Sequence, residues 1–420
     1  MIQSLNNDLK LKSALQVNTI DILPKFIRNK NGILKPLKIR NSEELTEILP
    51  FDERVHLLLT LSNGSLNTKE IVRKLNAKNR TIRLVLTKLE KRNLIARING
   101  KDINSNFRYS DIWKVIEKFN IESFDALYVW FESHHYNNTT MHYALLPKTL
   151  IIDGKFIKAI GLLDAEKSKF TSKPKVVEFV NSEPQTIKLV LEFFNNLLIY
   201  NSKWKWKLVF NNRLNSRQLS IVKNFWSSEI GLDANNELKT SFMFKKIKPN
   251  KNILGSMVIS YNNLLMNNII TNIQNYVKKK VILKDTKFMY AYLNGYFSGE
   301  AYVGKRQIQV ASQDPAQIKF ATKLLDKLDI KYGMGNKTIN CPPRILISQI
   351  DSCIKLYKNN VFDIHTNKRI SLIKRLLDYK NKYRFLIDSE FRNELNNELY
   401  QLNKLINKRN LSVTPGRYDT

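Results

Sequence analysis

The sequence predicts an α+β protein in which a duplicated strand-and-helix unit follows a smaller helical domain. Three observations carry that expectation. A segment recurs at a fixed offset, a β-like alternation precedes a helical period in both copies, and residues 46–112 run helix, helix, helix, hairpin. At 420 residues the chain can hold two to four domains, each with its own core.

Residues 1–45 are basic and weakly patterned, and Pro24, Gly32 and Pro36 interrupt any long helix, so an N-terminal arm is expected there. From 46 to 112 come three helical stretches, RVHLLLTLSNG, TKEIVRKLN opened by Asn67-Thr68, and NRTIRLVLTKLEKRNL, then a hairpin-like IARINGKDINSNFRYS. In the third stretch Ile82, Val85, Leu86 and Leu89 recur at three- and four-residue steps and predict a buried stripe. Arg80, Thr81, Arg83, Thr87, Lys88 and Lys91 fall elsewhere and make the outward side basic. Any surface helix shows such a division. Its place behind a short turn and ahead of an Asn-Gly hairpin, however, is the order of a winged helix-turn-helix, whose recognition helix enters the DNA major groove. Arg80, Thr81, Arg83, Thr87 and Lys88 are therefore candidate DNA contacts.

The remainder carries the internal repeat. NSEPQTIKLVLEFFNNLLI (181–199) aligns with SQDPAQIKFATKLLDKLDI (312–330) at a constant offset of 131 residues, pairing Pro184 with Pro315, Ile187 with Ile318, Lys188 with Lys319 and Leu197 with Leu328. In both copies an acidic residue and a proline open a helix, and a β-like segment, VVEFV or RQIQV, precedes it. Two copies of one unit predict a pseudo-symmetric pair of halves rather than a solenoid. The expected bounds are 113–280 and 281–390, with a C-terminal helix and tail at 391–420.

Charge narrows the partners. Lys+Arg 69 against Asp+Glu 37 give a formal net charge of +32, which exceeds what solubility requires, repels itself in a compact fold and points to a polyanion. The two cysteines, Cys341 and Cys353, have the spacing of neither a zinc pair nor a redox pair, so a reducing, cytoplasmic setting without structural metal is expected. No apolar run reaches the roughly 18 residues of a membrane span, and MIQSLNNDLK lacks the core of a signal peptide. A soluble, intracellular protein with no membrane partner is expected. His56, His134, His135, His142 and His365 show no metal-ligand spacing, and neither a Gly-rich phosphate loop nor a nucleophile elbow is present, so ATPase and serine-hydrolase readings have no support.

Ahead of each repeat stands a short segment of one kind: Ala159-Ile160-Gly161-Leu162-Leu163-Asp164-Ala165-Glu166, and Leu293-Asn294-Gly295-Tyr296-Phe297-Ser298-Gly299-Glu300. They end 18 and 15 residues before Pro184 and Pro315. Gly161 with Ala165, and Gly295 with Gly299, lie four apart on one helical face, so two such helices could approach backbone to backbone. Glu166 and Glu300 would then emerge together at C-terminal helix ends, where the dipole disfavours an anion by about 0.3–1 kcal/mol and a compensating cation is needed. For a nuclease that cation would be Mg2+, which takes carboxylate, water and phosphate oxygens. A single segment of this kind would be an ordinary helix with a solvated glutamate. Two of them, each just ahead of a matched repeat, predict a shared site.

These segments resemble the two LAGLIDADG motifs of single-chain homing endonucleases, over roughly residues 145–390. The resemblance implies a pseudo-twofold pair of α/β units whose motif helices pack together, with antiparallel strands forming a saddle over the major groove of double-stranded DNA. It implies a monomeric, Mg2+-dependent, site-specific endonuclease that cuts both strands across the minor groove and leaves short 3′ overhangs. It assigns catalysis and metal binding to Glu166 and Glu300. The glycine that usually follows the acid is Lys167 in the first motif and Ala301 in the second, and Ser298 stands where Asp is common. Lys167 could neutralise Glu166 and compete with the metal, or turn away to a phosphate.

Alternation supplies strand candidates for the saddle. In KWKWK, Lys203, Lys205 and Lys207 share one face and Trp204 and Trp206 the other. In the second half Lys305, Gln307 and Gln309 oppose Ile308 and Val310, and Lys and Gln are side chains that read base edges. Two alternatives share the fold: a non-cleaving DNA-binding transcriptional regulator, favoured by the added helix-turn-helix and Lys167, and an RNA-binding maturase acting on intron RNA.

Overall fold

The computed structural model of the chain describes residues 14–18, 22, 28–29, 32–38, 51–62, 65–98, 112–116, 126–135, 138–147, 149–166, 176–197, 205–210, 214–231, 238–242, 255–262, 264–335, 342–378 and 387–413. Helices and mostly antiparallel sheets alternate through two units, one of residues 26–148 with 195–201 and one of 1–25, 149–194 and 202–420. Among the described residues no helix is long and apolar enough to cross a membrane.

The first strand, β1 (Leu15–Asn18), belongs to the larger unit. The smaller unit contains β2 (Arg28–Asn29), β3 (Gly32–Lys38), α1 (Phe51–Leu61), β4 (Ser65–Asn67), α2 (Thr68–Lys74), α3 (Asn79–Glu90), β5 (Ile95–Arg97), β6 (Ile112–Val115), β7 (Ala126–His135) and β8 (Asn138–Pro147). They form two antiparallel sheets, ordered β2-β3-β7-β8 and β4-β6-β5. Part of the expected N-terminal arm is thus strand, with Leu34–Lys38 paired to Leu127–Phe131. Asn67 opens α2 through a capping box: its side chain accepts the Glu70 N–H at 2.8 Å while the Glu70 carboxylate accepts the Asn67 N–H at 2.9 Å. Such a cap is worth about 1 kcal/mol. Val55, Leu59, Ile71, Ile82, Leu86, Leu89 and Trp113 form the core beneath the three helices, and the Trp113 indole N–H donates to Thr68 Oγ1 at 3.0 Å. The expected stripe on α3 is buried at Ile82, Leu86 and Leu89 and half-buried at Val85. The expected Asn99-Gly100 turn lies outside the described residues.

In the larger unit β9 (Thr149–Ile152) pairs antiparallel with β1. There follow α4 (Gly154–Glu166), β10 (Val176–Asn181), α5 (Pro184–Leu197), β11 (Lys205–Phe210), α6 (Ser216–Ile230), β12 (Leu238–Phe242), β13 (Ser256–Asn262) and α7 (Leu264–Lys280). The second run has α8 (Thr286–Glu300), β14 (Ala301–Val303), β15 (Ile308–Ala311), α9 (Pro315–Lys327), β16 (Gly333–Gly335), β17 (Arg344–Ile347), α10 (Ile350–Lys358), α11 (Thr366–Leu377) and α12 (Ser389–Val413). Sheet orders are β10-β13-β11-β12 and β14-β15-β17-β16, so β13 and β17 each return between the strands on either side of the repeat helix.

The repeat has a local chemical cause. Asn181 Oδ1 accepts the Glu183 N–H at 2.8 Å, and 131 residues later Ser312 Oγ accepts the Asp314 N–H at 3.2 Å. Each turn stops a strand and hands the chain to a proline-opened helix. The first copy adds α6 and β12, the latter parallel to β11. Alternate residues of each sheet pack inward: Val177, Phe179, Leu208, Phe210, Met257 and Ile259 in one, Ile308, Val310, Ile345 and Ile347 in the other.

Candidate functional site

Small residues determine how closely α4 and α8 cross. A Cβ on Gly295 would collide with the Lys158 carbonyl oxygen and come within 2.9 Å of Leu162 N, and one on Gly161 would meet the Tyr292 carbonyl oxygen and lie 2.8 Å from Tyr296 N. The contact is backbone on backbone, as four-residue spacing of small residues allows. Both helices are buried nearly all round along their crossing: every residue from Ala159 to Ala165 and from Ala291 to Ser298 is buried.

The same approach joins the C-terminal ends. A Cβ on Gly299 would overlap Ala165 Cβ and lie 3.0 Å from Glu166 Cγ and 3.4 Å from Glu166 Oε1. Glu166 therefore stands against the residue that precedes Glu300, and both glutamates are half-buried at the ends of their helices.

Lys368 enters this site from the first turn of α11. Its Nζ donates to the carbonyl oxygens of Ser298 at 2.5 Å, Gly299 at 2.9 Å and Phe297 at 3.4 Å, supplying a cation where the α8 dipole is negative. Burial pulls its ammonium down to about 8, against the opposing attraction of Glu166 and Glu300. Nothing in the motif itself marks this residue. The available signal is its position, because a lysine in the first turn of a helix opposes the dipole and needs a partner elsewhere. His365, which precedes α11, is held down to about 3 by burial and then by the Lys368 charge, so it is neutral at pH 7.

Asp164 anchors the end of α4. Its buried carboxylate accepts from the Tyr292 hydroxyl at 2.6 Å and Gln274 Nε2 at 2.8 Å, and pairs with Lys278 Nζ at 2.8 Å, while its carbonyl accepts from Gln317 Nε2 at 2.7 Å. The last turn of α4, two residues from Glu166, is thereby tied to α7, α8 and α9. The matching residue in α8, Ser298, instead donates to Asn294 Oδ1 at 3.4 Å.

Among the described residues no cluster of three or more His, Cys, Asp or Glu side chains could hold a metal. Glu166 and Glu300 are a two-carboxylate set of hard oxygen donors, and the bare Gly299 lets the Glu166 side chain lie directly against the residue before Glu300. That set fits Mg2+, which keeps several waters and takes one or two carboxylates together with substrate phosphates. Lys167 lies outside the described residues, and Ala301 is buried as the first residue of β14.

Of the expected DNA contacts on α3, Arg80, Thr81 and Lys88 are exposed, and Lys88 pairs with Asp52 at 2.6 Å. Arg83 and Thr87 are half-buried, and the Thr87 hydroxyl turns back to the Arg83 carbonyl at 2.9 Å. Lys205 and Lys207 are exposed on one face of β11, with Trp206 half-buried on the other; Lys203 and Trp204 lie outside the described residues. In the second half the expected strand is shorter than alternation suggests. Lys305 and Gln307 sit in the turn between β14 and β15, closed by the Gly304 N–H donating to the Gln307 carbonyl at 3.0 Å, and only Gln309 is on the strand. Gln309 faces Tyr302 and Leu346 across the sheet, and Tyr302, which strand alternation alone does not single out, is 68% exposed.

No family model matches the chain, and no curated protein matches it. Solved structures do. Mesophilic variants from the homing endonuclease I-DmoI are 11% identical with a TM-score of 0.31, over 50% of this chain and 96% of theirs. I-DmoI in complex with its nicked target DNA and Mn is 12% identical with a TM-score of 0.31, over 51% of this chain and 99% of its own. Full-length DUF199/WhiA from Thermatoga maritima is 10% identical with a TM-score of 0.28, over 61% of this chain and 93% of its own.

Proposed function

We propose that the chain is a site-specific, divalent-metal-dependent endonuclease of double-stranded DNA, of the LAGLIDADG homing-endonuclease type, with a winged helix-turn-helix in its smaller unit. The observation that supports this reading is the meeting of the α4 and α8 ends, which puts the Glu166 side chain against Gly299, next to Glu300, with Lys368 Nζ on the last carbonyls of α8. In this reading Glu166 and Glu300 would supply carboxylate oxygens to Mg2+, an ion that also takes water and substrate phosphate oxygens. Bound there, the ion would lower the pKa of a water and stabilise the leaving oxygen. Lys368, its proton on Nζ, compensates the paired carboxylates and keeps them from repelling each other apart. Asp164 and its three donors fix the end of α4, and so the direction of Glu166. The exposed Lys205 and Lys207 and the half-buried Gln309 belong to the saddle that contacts the duplex.

A second reading, a non-cleaving DNA-binding regulator, is favoured by one observation: Lys368 already provides the two acids with a cation. Cleavage of the flanking genomic DNA by the purified chain, with Mg2+ or with EDTA, separates the two. Defined double-strand cuts that need Mg2+ and are lost in Glu166→Gln and in Glu300→Gln are expected for the nuclease. Tight binding to the same DNA with no cut in any divalent ion would overturn it in favour of the regulator.

A further inference from the structure

Leu84 is 66% exposed, the highest value among the large apolar side chains described in the smaller unit. It is not needed by the core, because the buried stripe of α3 is complete on the opposite side at Ile82, Leu86 and Leu89. Its neighbours one turn before and after are Arg80 and Lys88, with Thr81 three residues earlier, and all three are exposed. Lys78 and Lys91 extend the same exposed basic character to both ends of the helix. A surface meant only for phosphates gains nothing from a leucine at its centre. A surface that reads base edges does, because the thymine C5-methyl is the one apolar group that the major groove displays.

We infer that α3 reads thymine in duplex DNA by packing Leu84 on the C5-methyl group, with Arg80 placed to reach a guanine nearby; the inference rests on the reading of α1–α3 as a helix-turn-helix. The occupant is DNA because the exposed charged side chains along the helix, Lys78, Arg80, Lys88 and Lys91, are all basic, with Lys88 paired to Asp52, and a phosphate backbone complements them where a basic protein partner would be repelled. Arg80 and Leu84 are four residues apart, about 6 Å along the helix axis, against a base-pair rise of about 3.4 Å, so they address base pairs one or two steps apart. Both stand in the N-terminal half of the helix, the part of a recognition helix that contacts bases. Thr81, through its own methyl, is the second group that can meet a thymine. RNA carries uracil, which lacks the methyl, so the same contact discriminates against RNA.

The test uses the full chain and duplexes selected by it from a random pool, with affinity read by fluorescence anisotropy. Each thymine of the selected duplex is replaced singly by uracil, which keeps the pairing and deletes one methyl. Wild type is expected to lose about fourfold at one thymine, the loss of a single buried methyl. Leu84→Ala should bind the thymine duplex about fourfold more weakly and be indifferent to uracil at that position, with an unchanged unfolding midpoint because Leu84 is outside the core. The inference is overturned if wild type ignores every thymine-to-uracil change, if Leu84→Ala keeps the full uracil sensitivity, or if the selected duplex contains no thymine. Arg80→Ala separates this from the parent reading. If that change leaves affinity and salt dependence untouched, α3 is not on the DNA and the helix-turn-helix reading fails. If it weakens binding while the uracil effect is absent, only the Leu84 contact falls.

Discussion

Gly295 is the tightest point between the two motif helices, since the Cβ it lacks would fall on the Lys158 carbonyl oxygen. Backbone cannot give way as a long side chain can, so Gly295→Ala must push α8 away from α4. Overpacking of this kind costs about 1–3 kcal/mol, and urea unfolding should show a loss of that size or greater. The separation would also move Glu300 relative to Glu166, so under the proposed function DNA cleavage should fall by more than the unfolded fraction explains. A variant with wild-type stability would show that the helices do not meet as closely as described. The importance of this glycine is legible in the sequence, because Gly161, Ala165, Gly295 and Gly299 repeat at four-residue steps in segments that both end in glutamate. The close contact of Asp164 with Gln274 and Lys278 is not legible, because it joins residues 110 or more positions apart with no pattern of their own.

At the scale of elements, α11 is the part of the site that local pattern hides. Its stripe, with Ile370, Leu372, Ile373 and Leu376 buried, identifies it as a packed helix. Only the folded arrangement brings its first turn to the end of α8, 69 residues earlier in the chain. By contrast the duplicated helices α5 and α9 are legible because their turns are local: Asn181 with Glu183 and Ser312 with Asp314 carry the same stop-and-start chemistry. Strand ends are less so, as Lys305 and Gln307 show, since a four-residue turn can take residues that alternation assigns to a strand. The start of α11 also sets a pH dependence. His365 titrates at 6.5 when free and at about 3 in the folded chain, lowered first by burial and then by Lys368. Between those values the unfolded chain holds a proton that the folded chain does not. Stability therefore rises with pH across that window and is lost as pH falls from about 6.5 towards 3, by at most about 1.4 kcal/mol per pH unit. His365→Gln should flatten the acid side of the stability curve by comparison with wild type, as measured by urea midpoints from pH 7 to about pH 4. Parallel curves would mean that the imidazole is as accessible to protons in the folded chain as in the unfolded one.

Across the whole molecule the net charge of +32 decides how any DNA complex must behave. Binding that neutralises phosphates releases counterions, so affinity falls steeply and linearly on logarithmic axes as salt rises. If six to ten phosphates are contacted, the full chain should lose about 10³- to 10⁵-fold in affinity between about 50 and 200 mM salt. The exposed pair Lys205 and Lys207 on β11 allows the charge to be apportioned. Each phosphate contact removed should reduce the salt slope by about one, so a Lys205→Ala, Lys207→Ala double variant is expected to lower it by about two, with little change in which sequences are preferred. A base-reading side chain such as Arg80 should do the reverse, changing preference more than slope. An unchanged slope in the double variant would place the β11 face away from the phosphates, and a salt-independent affinity would remove the reason for so basic a chain to seek DNA at all.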